Sequence, residues 1–267
     1  MAANESVTPD AHELPLIISV DDHIMEPKDL WQQQLPPGMR ERGPRVVTEN
    51  VRLEFVGGHY GFHRNDPDGQ PCDVWLFEDV AVPTGLLHAP AGIPREEQRN
   101  VAARYEDLRP GTYDQAARLE DMTANYVEAA INYPNIFPRF CGQGFLERDD
   151  KELALASLQI YNDWMIDDWC GGAGQGRLIP LTLIPMWDVQ LAADEVRRCA
   201  AKGSYAIAFS ESPAKLGCPS MYTGEWDPLW ATCQDTETTV SMHIGSSSSM
   251  PSTSDDAPLA TSMSLYA

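Results

Sequence analysis

The sequence predicts an α/β protein of the parallel-barrel type, with about five βα units and an inserted β-ribbon. Three observations predict it. From about Val127 onward, strand-like and helical segments alternate, and repeated βα units favour a parallel sheet covered on both faces. Two apolar runs, Ile17-Ile18-Ser19-Val20 and Thr239-Val240-Ser241-Met242, end in Asp21-Asp22-His23 and in His243. Polar strand ends of this kind suit a barrel whose carboxyl-terminal mouth holds the chemistry. Between the first strand and the alternating part, residues from about 30 to 110 are richer in Pro, Gly and charge.

Taken in order, the first strand covers residues 17–23. Along a strand, residues two apart share a face, so Asp21 and His23 project together while Ile18 and Val20 point the other way. Glu26-Pro27 reads as the start of a short helix from Pro27 to Trp31, with an acid behind the site as the alternative for Glu26. In the insertion, Arg45–Val56 and Asp73–Glu78 read as strands on either side of the turn-rich stretch from His63 to Pro71. A β-ribbon there could cap a substrate pocket or pack against another subunit. Arg95–Leu108 reads as a helix leading back to the barrel. His59 and His63 are four apart, but Gly57, Gly58 and Gly61 argue against the helix that would align them.

Asp114 is placed to cap a helix running to Asn125, and Val127–Tyr133 is the next strand. A long helix from Lys151 to Cys170 carries Leu153, Leu158, Tyr161 and Met165 near helical spacing. Arg177–Pro185 is a strand containing prolines, Asp188 caps a helix to Lys202, and Tyr205–Phe209 is a strand. Asp227-Pro228 opens the next helix with Asp as cap and Pro at the first helical position. Thr238–His243 closes the series, and the Ser-rich stretch 246–254 follows as a loop. Gly171–Gly176 lies between a helix and a strand, the wrong order for a phosphate cradle, and reads as a linker. The tryptophans read as core and interface anchors.

Composition bounds the partners. The chain has 267 residues, 43% of them hydrophobic, enough for a real core in a single domain covering 1–267 with the flap region 30–110 inside it. A net charge of −21 argues against nucleic acid and against an anionic membrane surface as partners. No apolar run approaches the roughly 20 residues of a membrane span. Residues 1–15 read as a frayed arm rather than a signal peptide. Cys72, Cys141, Cys170, Cys199, Cys218 and Cys233 show no C-x-x-C spacing and read as reduced thiols, which implies a cytoplasmic location. A small-molecule substrate is the expected partner, and a homo-oligomer through the flap is left open.

Asp21, His23 and His243 are the candidate metal ligands. Zinc accepts imidazole nitrogen and carboxylate oxygen together, and a catalytic site keeps one position for water. The alternative for His243 is a core histidine bonded to backbone. Ser246–Ser249 lack a Gly-x-Ser-x-Gly elbow, which disfavours a serine nucleophile.

The segment Ser19-Val-Asp-Asp-His-Ile-Met-Glu-Pro27 resembles the first-strand signature of the amidohydrolase-related enzymes, typified by aminocarboxymuconate semialdehyde and γ-resorcylate decarboxylases. Tyr113-Asp114, Arg118–Met122, Asn132-Tyr133-Pro134, Phe209–Pro213, Trp226–Trp230 and Ser241–Ser246 are similar to further motifs of that family. The resemblance implies a metal-dependent (β/α)8 barrel in which Asp21, His23 and His243 bind one divalent cation, zinc ahead of manganese. It implies a hydrolase or decarboxylase acting on a small carboxylated or cyclic substrate. Two departures stand out. An eighth-strand Asp has no counterpart, since Asp255 and Asp256 follow the fifth strand too soon, so the catalytic acid is unknown. The chain then reads as the amino-terminal part of a barrel, with a catalytically silent fragment or non-enzymatic relative as the rival reading. In Thr123-Ala-Asn-Tyr126 a turn glycine is also lost, from which local strain is expected.

Overall fold

A computed structural model describes residues 16–56 and 59–248. Strand β1 (Ile17–Ile24) leads through helices α1 (Leu30–Gln34) and α2 (Pro37–Arg40) into strands β2 (Arg45–Val56), β3 (His59–Arg64), β4 (Gln70–Phe77) and β5 (Val80–Pro83). The alternating part then runs α3 (Gln115–Ala124), β6 (Val127–Pro134), α4 (Gln143–Leu146), α5 (Lys151–Trp164), β7 (Leu178–Pro180), α6 (Val189–Ala201), β8 (Ala206–Ser210), α7 (Asp227–Asp235) and β9 (Thr239–His243).

Strand β1 pairs in parallel with β6, β6 with β7, and β8 with β9. Just past β7, Thr182 bridges to Ile207 in the parallel sense. Its N–H donates to Ala206 O at 3.0 Å, and its carbonyl accepts from Ala208 N at 2.9 Å. The five strands therefore follow one another in a single parallel order, with their carboxyl ends on one side. β7 is shorter than the expected 177–185 because Pro180 and Pro185 have no N–H for the ladder.

Side-chain caps set three helix starts. Asp114 accepts from Ala117 N at 2.8 Å, Asp150 from Leu153 N at 3.0 Å, and Asp188 from Gln190 N at 2.9 Å. Asp227 is not a cap. It is the first residue of α7, which continues directly from the turn Gly224–Trp226. The expected helix to Cys170 stays α-helical only to Trp164, and Met165–Trp169 widens into a π turn in which Cys170 N reaches back to Met165 O. Tyr126 takes a left-handed φ of 58° where the turn glycine is lacking, the strain that the sequence foretold.

The inserted region forms a four-stranded antiparallel sheet in the order β3-β2-β4-β5, more than the two strands expected. His63 lies on β3 and pairs with Glu54 at 3.0 Å. The helix expected over Arg95–Leu108 is absent. Ala103 N donates to Thr84 O, Leu86 N to Val101 O, and Asp73 N to Ala103 O, at 2.9–3.1 Å. Buried Ala102 and Ala103 thus satisfy their backbone against the flap sheet, and only Tyr105–Asp107 turns helically. Helix α1 begins at Leu30, not Pro27, because Pro27 O accepts from Leu30 N in the turn that precedes it.

The four-stranded antiparallel sheet is joined to the parallel strands through an aromatic core. Trp31, Trp75, Phe77, Phe137 and Phe145 are buried and meet mostly edge to face, with centroids 5.2–6.4 Å apart. Trp164, Trp169 and Trp226 are buried as well, in keeping with an anchoring role. All six cysteines are unbridged. Among the described residues no helix is long and apolar enough to cross a membrane. The expected arm 1–15 and most of the Ser-rich loop, with Asp255 and Asp256, lie outside the described residues.

Candidate metal centre

Asp21 and His23 leave the carboxyl-terminal half of β1, and His243 is the last residue of β9. These are the first and fifth strands of the parallel order, and their ends bring three donor atoms within 4.8 Å of one another. Asp21 Oδ1 lies 3.4 Å from His23 Nε2 and 3.1 Å from His243 Nε2. The two Nε2 atoms are 3.1 Å apart.

The rings are oriented from behind. His23 Nδ1 faces Pro134 O at 3.3 Å, and His243 Nδ1 faces Ile244 O at 2.5 Å. A carbonyl only accepts, so each Nδ1 is the donor and Nε2 is the nitrogen left for a ligand. A tetrahedral ion bound at about 2.0–2.1 Å spaces its donors about 3.3 Å apart. The triangle formed by Asp21, His23 and His243 is therefore close to one face of such a tetrahedron, and the donor set suits zinc or manganese.

The electrostatics favour positive charge at this point. Hydrogen bonds from His23 and His243 hold the Asp21 carboxyl well below the usual carboxylate range. Burial works to lower His243, but Asp21 and the Ile244 carbonyl outweigh it and raise the ring above its ordinary value.

Strand β1 is not regular. Its register with β6 steps from Ser19–Ala130 to Asp22–Asn132, so three steps on β1 match two on β6. Val20 and Asp21 together stand opposite Ile131, a bulge of the kind that re-aims side chains beside active sites. The expected outward packing of Ile18 and Val20 does not occur. They are 56% and 62% exposed, and the register sets Ile18 level with Ala129, on the same alternation as Tyr133 and hence as His23.

Two rings line the site. Phe140 stacks on His243 with centroids 4.2 Å apart and meets His23 edge-on at 5.1 Å. Tyr133 lies 5.1 Å from His243 and 5.7 Å from His23. Beside them, Glu211 follows β8, and its carboxylate accepts from Ser246 Oγ and, at 2.6 Å, from Ser247 Oγ. Burial works to raise Glu211, and these hydroxyls more than offset it. The serines thus tie down the turn after β9.

Sequence reading missed Phe140, Arg118 and Glu211 as neighbours of the centre. Glu211 and Tyr133 sit inside motifs at the carboxyl ends of strands 4 and 2 of the parallel order, where strand-end position alone could have marked them. Phe140 lies in a connection with no local signal. Glu26 is wholly buried, and burial, opposed by the backbone N–H groups of Glu26 and Asn135, pushes its pKa to about 8. It is not part of the donor triangle.

A family model described as amidohydrolase matches residues 23–267. An amidohydrolase structure from Mycobacterium avium subsp. paratuberculosis K-10 superposes with a TM-score of 0.57 at 19% identity, over 86% of this chain and 59% of that one. A 2,6-dihydroxybenzoate decarboxylase from Rhizobium superposes with a TM-score of 0.45 at 15% identity, over 92% of this chain and 53% of that one. The chain thus spans 59% of the length of the mycobacterial structure. No curated protein matches. The family implies a barrel-like α/β fold and, in general, a divalent metal, and five parallel strands whose first and fifth ends bring three donors together are in keeping with both. The chain belongs to the amidohydrolase family.

Proposed function

We infer that this chain carries the metal centre of a metal-dependent hydrolase or carboxy-lyase acting on a small carboxylated or cyclic substrate. The observation that carries the reading is the donor triangle of Asp21, His23 and His243, with each Nδ1 turned toward a backbone carbonyl. Zinc is favoured over manganese because two imidazoles and one carboxylate at this spacing suit tetrahedral binding.

A divalent cation held there supplies Lewis-acid polarisation of a substrate oxygen. The chain's own residues do the rest of the positioning. Asp21 brings a full negative charge to the centre, and the carbonyls of Pro134 and Ile244 keep the two Nε2 atoms aimed at it. Phe140 and Tyr133 form an apolar wall beside the imidazoles, a surface suited to a planar or cyclic group. Six unbridged thiols support a cytoplasmic location, and the charge of −21 supports small-molecule partners rather than nucleic acid or membrane. Self-association would use the flap.

Elemental analysis of the purified chain tests the reading. About one zinc or manganese per chain is expected, lost in a His23→Ala, His243→Ala double variant. Metal-free protein after careful preparation would sink the enzyme reading and leave a catalytically silent relative. Carbon dioxide release from a panel of aromatic acids, set against hydrolysis of cyclic amides, then separates lyase from hydrolase.

A further inference from the structure

We propose that Arg118, Asp22 and Ser19 form a positioning clamp that holds the bulge of β1 and so aims Asp21 and His23 at His243. The inference rests on the metal-centre reading above. In an unbroken strand, residues three apart face opposite sides. Yet Ser19 Oγ donates to Asp22 Oδ1 at 2.6 Å. That contact requires the extra residue, which brings Ser19 and Asp22 level with Ala130 and Asn132, two positions on one face of β6. Asn132 accepts from Trp169 Nε1 on that face, whereas Tyr133 packs with the histidines on the other.

Arg118, on α3, completes the clamp. Its Nη1 lies 3.5 Å from Asp22 Oδ2, and its Nη2 donates to the His23 carbonyl at 2.5 Å. One guanidinium therefore holds the side chain between the two donors and the backbone of the second donor. The contact is sheltered, with the Arg118 and Asp22 side chains 15% and 20% exposed. Helix α3 is started independently by the Asp114 cap. A planar fork with several donors can serve both acceptors at once, whereas a lysine ammonium at the same place serves them poorly. Partners that orient metal ligands from behind change affinity by about 10–100-fold.

The test uses two readouts on the whole chain: zinc affinity by competition with a chromogenic chelator, and the contact between the His23 and His243 rings by NMR in metal-free protein. Arg118→Ala is expected to weaken zinc binding at least about tenfold and to lose the ring contact, and Arg118→Lys to recover part of both. Ser19→Ala, a milder change with little risk to folding, moves both in the same direction. Glu120→Ala, which removes an exposed charge from the same helix, leaves both unchanged. Wild-type affinity and ring contact in Arg118→Ala overturn the clamp, as does an equal loss in Glu120→Ala. A wild-type chain that binds no zinc overturns the metal reading instead, and the ring contact still decides the clamp.

Discussion

Glu26 shows how far a single buried group can set the behaviour of this chain. Burial outweighs the backbone N–H groups of Glu26 and Asn135 that face its carboxyl, and raises its pKa from 4.5 to about 8. Folded protein therefore keeps a proton that the unfolded chain gives up near pH 4.5. By linkage, the neutral carboxyl's contribution is complete below pH 4.5 and is lost as pH rises to about 8, a span worth roughly 5 kcal/mol. Urea unfolding from pH 5 to 8.5 should show stability falling with pH, and Glu26→Gln should flatten the curve. An unchanged slope in the variant would place the proton elsewhere. Tyr126 is a second residue-scale case, since a left-handed φ of 58° burdens a side chain with a β-carbon. Tyr126→Gly should stabilise the fold by about 0.5–1 kcal/mol and raise Tm by a few degrees.

Among the elements, α6 depends most plainly on its cap. Asp188 Oδ1 accepts from both Gln190 N and Leu191 N, so Asp188→Ala should cost about 1 kcal/mol in chemical denaturation, and Asp188→Ser much less. The helix starts at Asp114 and Asp188 were legible because a cap is a local bargain between one side chain and the next turn of backbone. The segment 95–108 was not legible. Its helical spacing yields to hydrogen bonds with Thr84, Gly85 and Asp73, which are far from local. Likewise the bulge in β1 depends on pairing with β6, so strict alternation explains the convergence of Asp21 and His23 only in part.

For the whole molecule, the aromatic junction of Trp31, Trp75, Phe77, Phe137 and Phe145 couples the flap to the parallel strands. Phe137 touches four of these rings or their neighbours from the connection after β6. Phe137→Ala should cost about 3–5 kcal/mol and shift tryptophan fluorescence as Trp31 and Trp75 lose their cover. Intact stability would mean that the flap and strands fold independently. At the strand edge, Leu16, Ile17, Ile18 and Val20 are exposed in sequence, a patch prone to association. Ile18→Lys with Val20→Lys should reduce aggregation at high concentration, measured by light scattering, without loss of helical signal.

By itself the sequence determined the alternation of strands and helices, the caps at Asp114 and Asp188, and the three residues at strand ends that could bind a cation. Each is carried by residues adjacent in the chain or by a periodicity that the backbone imposes. Only the tertiary structure decided that Asp21, His23 and His243 meet at 3.1–3.4 Å, that Phe140 covers His243, and that Arg118 reaches the His23 carbonyl. Apart from Asp21 with His23, those contacts join residues about 100 to 220 positions apart, and no local preference encodes them. They follow from the parallel order of the strands, which brings distant carboxyl ends to one mouth.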